Sequence, residues 1–242
     1  MYIELHTRSA FTFLEGAALP EDLATAAARL DLPAIALLDR DGVYGAPRFH
    51  LKAKQLGIRA HIGAEISVEE LSLQSELPEW LKNSFPPPSV RYPLLAKTRT
   101  GYKNLCRLIT QYQLRAGKKG RGRATLAELQ GHAAGLVCLT GGEEGPLAAA
   151  LARGGYEVGK KAVEQLCAIY GKTNVYVELQ RHGNREEESR NQAAVQIAEH
   201  LNLSLVATNG VRYVLPKDRE ILDVLTCIKN HCQLETAQRT LE

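Results

Sequence analysis

Short apolar runs alternate with amphipathic helical stretches along almost the whole chain, and that rhythm leaves few folds open. Strand patterns are expected at residues 2–6, 34–38, 59–62 continuing into 65–68, 93–97, 135–139, 175–179 and 203–208. Helical patterns fall between them at 20–30, 46–56, 101–114, 146–153, 158–170, 186–201 and 216–230. Strands that each hand over to a helix return by crossover connections, and these build a mainly parallel α/β sheet. About seven such strands in 242 residues suit a distorted barrel, with an open sheet as the alternative. Either architecture gathers its chemistry at the strand C-termini. Here those ends read His6-Thr7-Arg8, Asp39-Arg40-Asp41-Gly42, Thr140-Gly141-Gly142 and Gly210-Val211-Arg212, with Arg91 just before an apolar strand.

Two segments interrupt the rhythm. Residues 69–90 are polar, contain Pro86-Pro87-Pro88 and read as an insertion stiffened by its prolines. Residues 113–123 carry Arg115, Lys118, Lys119, Arg121 and Arg123 among three glycines. Like charge with glycine predicts a mobile solvated loop, and such a loop could also contact a nucleic-acid backbone without reading bases. The chain as a whole is nearly balanced, at +3 from 30 basic and 27 acidic residues, so composition alone does not imply a nucleic-acid partner. Five scattered cysteines form no CxxC pair and are expected as free thiols in a reducing cytosol. No apolar run approaches a membrane span and no signal peptide opens the chain, so a cytoplasmic protein without membrane contact is expected. The last residues stop inside a helical pattern. They point to a piece of something longer, whether Leu241-Glu242 is natural or an expression scar.

Several stretches carry a family likeness. His6-Thr7-Arg8-Ser9 with Phe13-Leu14-Glu15-Gly16, residues 36–46 from Ala36 through Asp39-Arg40-Asp41-Gly42, and Ile62-Gly63-Ala64-Glu65 resemble the PHP (polymerase and histidinol phosphatase) domain. Leu94-Leu95-Ala96-Lys97 with Gly101-Tyr102-Lys103-Asn104-Leu105, Tyr176 to His182 and Val206-Ala207-Thr208-Asn209 resemble the version found at the N-terminus of bacterial C-family polymerases, the DNA polymerase III alpha subunits. Leu105-Cys106-Arg107-Leu108-Ile109-Thr110 is most similar to the error-prone, second alpha-type group. The likeness implies a PHP-type distorted (β/α)7 barrel with a mainly parallel sheet over residues 1–215. Residues 216–242 would then open the connection to a polymerase region.

In metal-binding members of that family, histidines and carboxylates hold two or three metal ions for phosphoester hydrolysis. Carried over position by position, His6, Asp39, Glu65 and His182 match ligands. Arg8, Arg40, Arg91 (or Tyr92) and Arg212 stand where histidines are expected, and Gly210 replaces an aspartate. Imidazole ligates through a neutral nitrogen lone pair, whereas guanidinium is a permanent cation without an acceptor. The likeness therefore implies a dismantled metal site in which the arginines bond Asp39 and Glu65, and which could hold sulfate or phosphate. A residual single-metal site at His6, Asp39, Glu65 and His182 is the alternative.

Three functions compete. The first is a non-catalytic, metal-free domain that supports an error-prone polymerase or docks mutagenesis or replisome proteins, with magnesium confined to the polymerase region. The second is a metal-dependent phosphoesterase or 3′–5′ exonuclease. The third is an anion- or nucleic-acid-binding module. No GxSxG elbow, P-loop or GxGxxG motif offers another chemistry. Glu186-Glu187-Glu188 is read as a solvated helix start.

Overall fold

The computed structural model describes residues 2–69, 89–118 and 120–237. Much of the 69–90 insertion, including the three prolines, and Lys119 of the basic segment lie outside the described residues. Along the chain run α1 (Pro20–Arg29), β1 (Ala34–Arg40), α2 (Ala46–Gln55), β2 (Arg59–Glu69), β3 (Ser89–Ala96), α3 (Arg99–Ala116), α4 (Leu126–Gly131), β4 (Leu136–Leu139), α5 (Pro146–Tyr170), β5 (Val175–Leu179), α6 (Arg185–Leu201), β6 (Ser204–Ala207) and α7 (Arg219–Asn230). Short 3-10 turns precede β5 and α7. Among the described residues the six strands bond in the order β1-β2-β3-β4-β5-β6. The fold is α/β. β4, β5 and β6 run parallel, and β3 runs antiparallel to both β2 and β4.

The chain divides into two compact units, residues Met1–Ile62 with Thr208–Glu242, and residues Gly63–Ala207. The core of the first is built from Leu23, Ala27, Ile35, Leu37 and Phe49, with Val211 and Val214 packed against it. The strand expected at residues 2–6 appears as two isolated parallel bridges, Glu4 to Ile35 and Thr7 to Val211. Residues 6–8 thus lie between β1 and the 211 segment: Leu38 N–H donates to Thr7 O and Arg8 N–H donates to Val211 O, both at 2.8 Å.

The second unit packs Val177 of β5 between α5 and α6 through Leu147, Val163, Ala194 and Ile197. The two helices expected near 146–153 and 158–170 are continuous in chain but break at Gly154-Gly155, where φ and ψ leave the helical region. Gly155 takes φ 66° and ψ −154°, a conformation essentially restricted to glycine. The sequence reading missed α4. Its signal was present: Thr125 caps Glu128 N–H while the Glu128 carboxylate accepts from Thr125 N–H, a reciprocal capping box.

Candidate functional site

Of the nine positions singled out, His6, Arg8, Asp39, Arg40, Gly210 and Arg212 belong to the first unit. Glu65, Arg91 and His182 belong to the second. Each group has its own geometry.

In the first unit the fixed point is Asp39, at the end of β1 and 1% exposed. Its Oδ1 accepts from Ser9 N–H, Ser9 Oγ and Thr12 Oγ1 at 2.8, 2.8 and 2.9 Å, and Oδ2 lies 2.9 Å from Ser9 Oγ. Neutral donors from one loop therefore hold this buried carboxylate, a role sequence reasoning did not give to Ser9 or Thr12. The loop fits because Gly16 has no side chain; a Cβ there would fall 2.2 Å from Ser9 O. Gly45, at the start of α2, likewise leaves room: its Cβ would fall 2.8 Å from Asp39 Oδ2.

Arg40 was expected to bond Asp39 or Glu65. Its guanidinium turns to Glu15 at 2.7 Å and to Asp41 at 3.5 Å, and only its backbone N–H joins the Asp39 loop, through Thr12 Oγ1 at 3.1 Å. Glu15 also accepts from Lys229 of α7 at 2.9 Å, so one buried carboxylate carries two cations. Arg8 is 7% exposed. Gly210 takes φ 58°, a left-handed turn. Arg212 follows it, and its carbonyl accepts from Ala17 N–H at 2.8 Å.

Beside His6 lies a carboxylate that the sequence reading passed over. Glu4 is 4% exposed and accepts from Tyr2 Oη at 2.6 Å, His6 N–H at 2.8 Å and Asn209 N–H at 2.9 Å. Burial raises its pKa above the ordinary carboxylate value, against the opposing pull of these three donors and of His6. Strand periodicity could have found it, since residues two apart share a face.

In the second unit Glu65 is 1% exposed on β2, paired in register with Pro93. Arg91, two residues from Pro93, is the diagonal neighbour on the same face. Its Nη1 stands 3.8 Å from Glu65 Oε2 and 3.0 Å from Glu144 Oε2. Arg91 is 5% exposed, while Glu144 reaches solvent. Charge-assisted hydrogen bonds were expected between Arg91 and Glu65; the contact to Glu65 Oε2 is an ion pair longer than a hydrogen bond. His182 is exposed, and its Nδ1 lies 2.9 Å from Glu187 Oε1. Glu187 is buried, accepting also from His182 N–H at 2.5 Å and facing Arg190 at 3.6 Å. The solvated helix start expected at Glu186-Glu187-Glu188 thus turns its middle residue inward. Glu178, buried on β5, accepts from Gln180 Nε2 at 2.9 Å. Among the described residues no three His, Cys, Asp or Glu side chains are grouped to hold a metal ion.

The basic segment is more structured than glycine and charge suggest. Helix α3 runs to Ala116, so Arg115 sits in its last turn, paired with Glu128 and 4.0 Å from Glu69. Arg123, expected in a solvated loop, is 5% exposed and donates to Gly122 O at 2.7 Å. Ala124, bonded to both Ser67 O and Glu69 N–H, pins the chain to β2 and draws Arg123 inward. Lys118 and Arg121 remain exposed.

A family model for the PHP domain matches residues 4–182. The chain belongs to the PHP-domain family. This PHP domain is 37% identical over 237 residues to an error-prone DNA polymerase of Mycolicibacterium paratuberculosis, covering 98% of this chain and 21% of that protein. It is 30% identical over 229 residues to a DNA polymerase III subunit alpha of Borreliella burgdorferi, covering 94% and 19%. The chain thus spans about a fifth of the length of the curated relatives it matches. Its fold is also that of a solved structure from Bifidobacterium adolescentis described as a metal-dependent phosphoesterase, with TM-score 0.55, 12% identity and coverage of 88% and 89%. An amidohydrolase from Chromobacterium violaceum, solved with bound sulfate and no metal, gives TM-score 0.58, 13% identity and coverage of 90% and 89%. The PHP-type distorted (β/α) barrel is therefore the fold class. No described helix is long and apolar enough to cross a membrane.

Proposed function

We propose that this PHP domain is a non-catalytic, metal-free part of an error-prone DNA polymerase, supporting the polymerase region or docking its partners in the cytoplasm. Nucleotidyl transfer, and the magnesium it uses, would belong to sequence beyond these residues. The observation that carries the reading is Arg91. At a position where the family resemblance places a histidine ligand, a buried guanidinium faces Glu65 and Glu144. A fixed cation there neutralises carboxylate charge and repels a divalent ion approaching Glu65.

Two other matched ligands are also engaged. Asp39 is bonded by Ser9 and Thr12, and His182 by Glu187. These contacts compete with metal binding at the matched positions, which supports the metal-free reading, and no hydrolytic step is assigned to them. The test is metal analysis of protein prepared without chelator, with p-nitrophenyl phosphate and single-stranded DNA hydrolysis assayed in added manganese. Substoichiometric metal and no turnover above the blank are expected; stoichiometric zinc or manganese with hydrolysis would return the domain to the phosphoesterases.

Nucleic-acid binding through the basic segment is the weaker reading. With Arg115 paired and Arg123 inward, Lys118 and Arg121 are the exposed cations described there. With Lys119 of the same segment counted, a DNA titration against salt should give a log–log slope of about −3 or shallower, since each neutralised phosphate contributes roughly −0.9.

A further inference from the structure

Helix α7 shows solvent an apolar stripe. Ile221, Val224 and Ile228 are 52%, 43% and 54% exposed, spaced by three and four so that they share one side of the helix. Leu222 and Cys227, on another side of the helix, are buried at 6% and 5% exposure. Lys229 ties the C-terminal end to Glu15 at 2.9 Å. The helix is therefore held in orientation, with the stripe facing outward. Helix preference does not explain these residues, because Ile and Val are weaker helix formers than Ala, Lys or Glu at a solvent position. Leu215 and Leu234, before and after the helix, are also exposed.

The comparisons bear on what covers the stripe. The PHP-domain match ends at residue 182, before α7, whereas the alignment to the error-prone polymerase takes in 98% of the chain and so includes it. The α7 segment thus aligns with a polymerase beyond the matched PHP region. A second copy of the chain is a poorer occupant. Three half-exposed aliphatic side chains offer on the order of 300 Å², against roughly 800 Å² per partner in a stable interface. A segment tethered in the same chain needs less area, because its effective concentration is high.

We propose that Ile221, Val224 and Ile228 form the docking face for an apolar surface of the polymerase region of the same chain. The inference rests on the polymerase reading above and names where the support is delivered. Its test makes the triple variant Ile221→Asp, Val224→Asp, Ile228→Asp in two settings. One is this 242-residue chain. The other is a fusion in which this chain replaces the aligned segment of the Mycolicibacterium paratuberculosis polymerase.

In the 242-residue chain the triple variant should leave the denaturation midpoint and the monomeric mass nearly unchanged. In the fusion, α7 amides should exchange hydrogen at least tenfold more slowly than in the free chain. The triple variant should abolish that protection and the milder Ile228→Asn should reduce it. Leu30→Asp, an exposed change just after α1, should leave it intact. Equal α7 exchange in fusion and free chain would overturn the proposal, as would a dimer of the free chain that the triple variant dissolves. Manganese-dependent hydrolysis by the free chain would instead sink the metal-free reading and leave the docking result standing.

Discussion

Asp39 and Glu65 are both 1% exposed carboxylates at positions where the family resemblance places metal ligands, yet the contacts described at each differ in kind. Ser9 and Thr12 of a single loop donate hydrogen bonds to Asp39. Glu65 faces a permanent cation on the adjoining strand. The first solution depends on the loop's backbone path. The second depends on two side chains and can be removed as a pair. A buried ion pair often contributes little over apolar residues of similar volume, whereas breaking it from one side is costly. Of the three donors to Asp39, the Ser9 N–H belongs to the backbone and persists through side-chain substitution.

The largest effect is expected at the first site. Asp39→Ala leaves Ser9 N–H, Ser9 Oγ and Thr12 Oγ1 without their buried acceptor and should cost about 3 kcal/mol in chemical denaturation. An unchanged midpoint would mean that the loop re-pairs with water and is not built around Asp39. Glu65→Ala should cost less, about 2 kcal/mol, because Arg91 keeps Glu144. The double change Glu65→Leu with Arg91→Leu should recover most of that loss. A cycle showing no recovery would place the value of Arg91 elsewhere and dissolve the contrast.

Thr125→Ala, which removes the cap of α4, should cost about 1 kcal/mol and leave both carboxylate sites unaltered. The smallest effect is a pH dependence. Glu4 has a raised folded-state pKa, so the folded protein binds more protons than the unfolded chain between 4.5 and the raised value. Its contribution to stability therefore falls as pH rises through that window. Glu128 runs the other way: burial alone would raise its pKa, but Thr125 and Arg115 outweigh it and lower the value, so its contribution is lost as pH falls below 4.5. Comparing Glu4→Gln and Glu128→Gln with the parent protein across pH 3 to 7 should separate the two slopes.

The strand and helix rhythm was legible because hydrophobic periodicity reports burial directly. Even the break in α5 could be read, since Gly154-Gly155 interrupts the pattern. The direction of β3 could not, because the residues that return the chain lie in an insertion without periodicity. At the site, residue identities told which ligand positions had changed, and Arg91 met its expected partner Glu65. Arg40 did not go to either expected carboxylate. Its partner Glu15 stood in a quoted motif, but nothing in the spacing said that the loop would fold back to meet it. Arg123 shows the same gap, since a charge run reads as solvated until Ala124 is known to be pinned to β2.

The first unit is completed by residues from both ends of the chain, with Val211 bridged to Thr7 and Val214 packed on a core that begins at Ala18. The second unit is one uninterrupted stretch. During synthesis the ribosome therefore releases everything the second unit needs before it releases the last pieces of the first. The earlier-made half of the first core must wait, its apolar face open to chaperones, until the long loop closes.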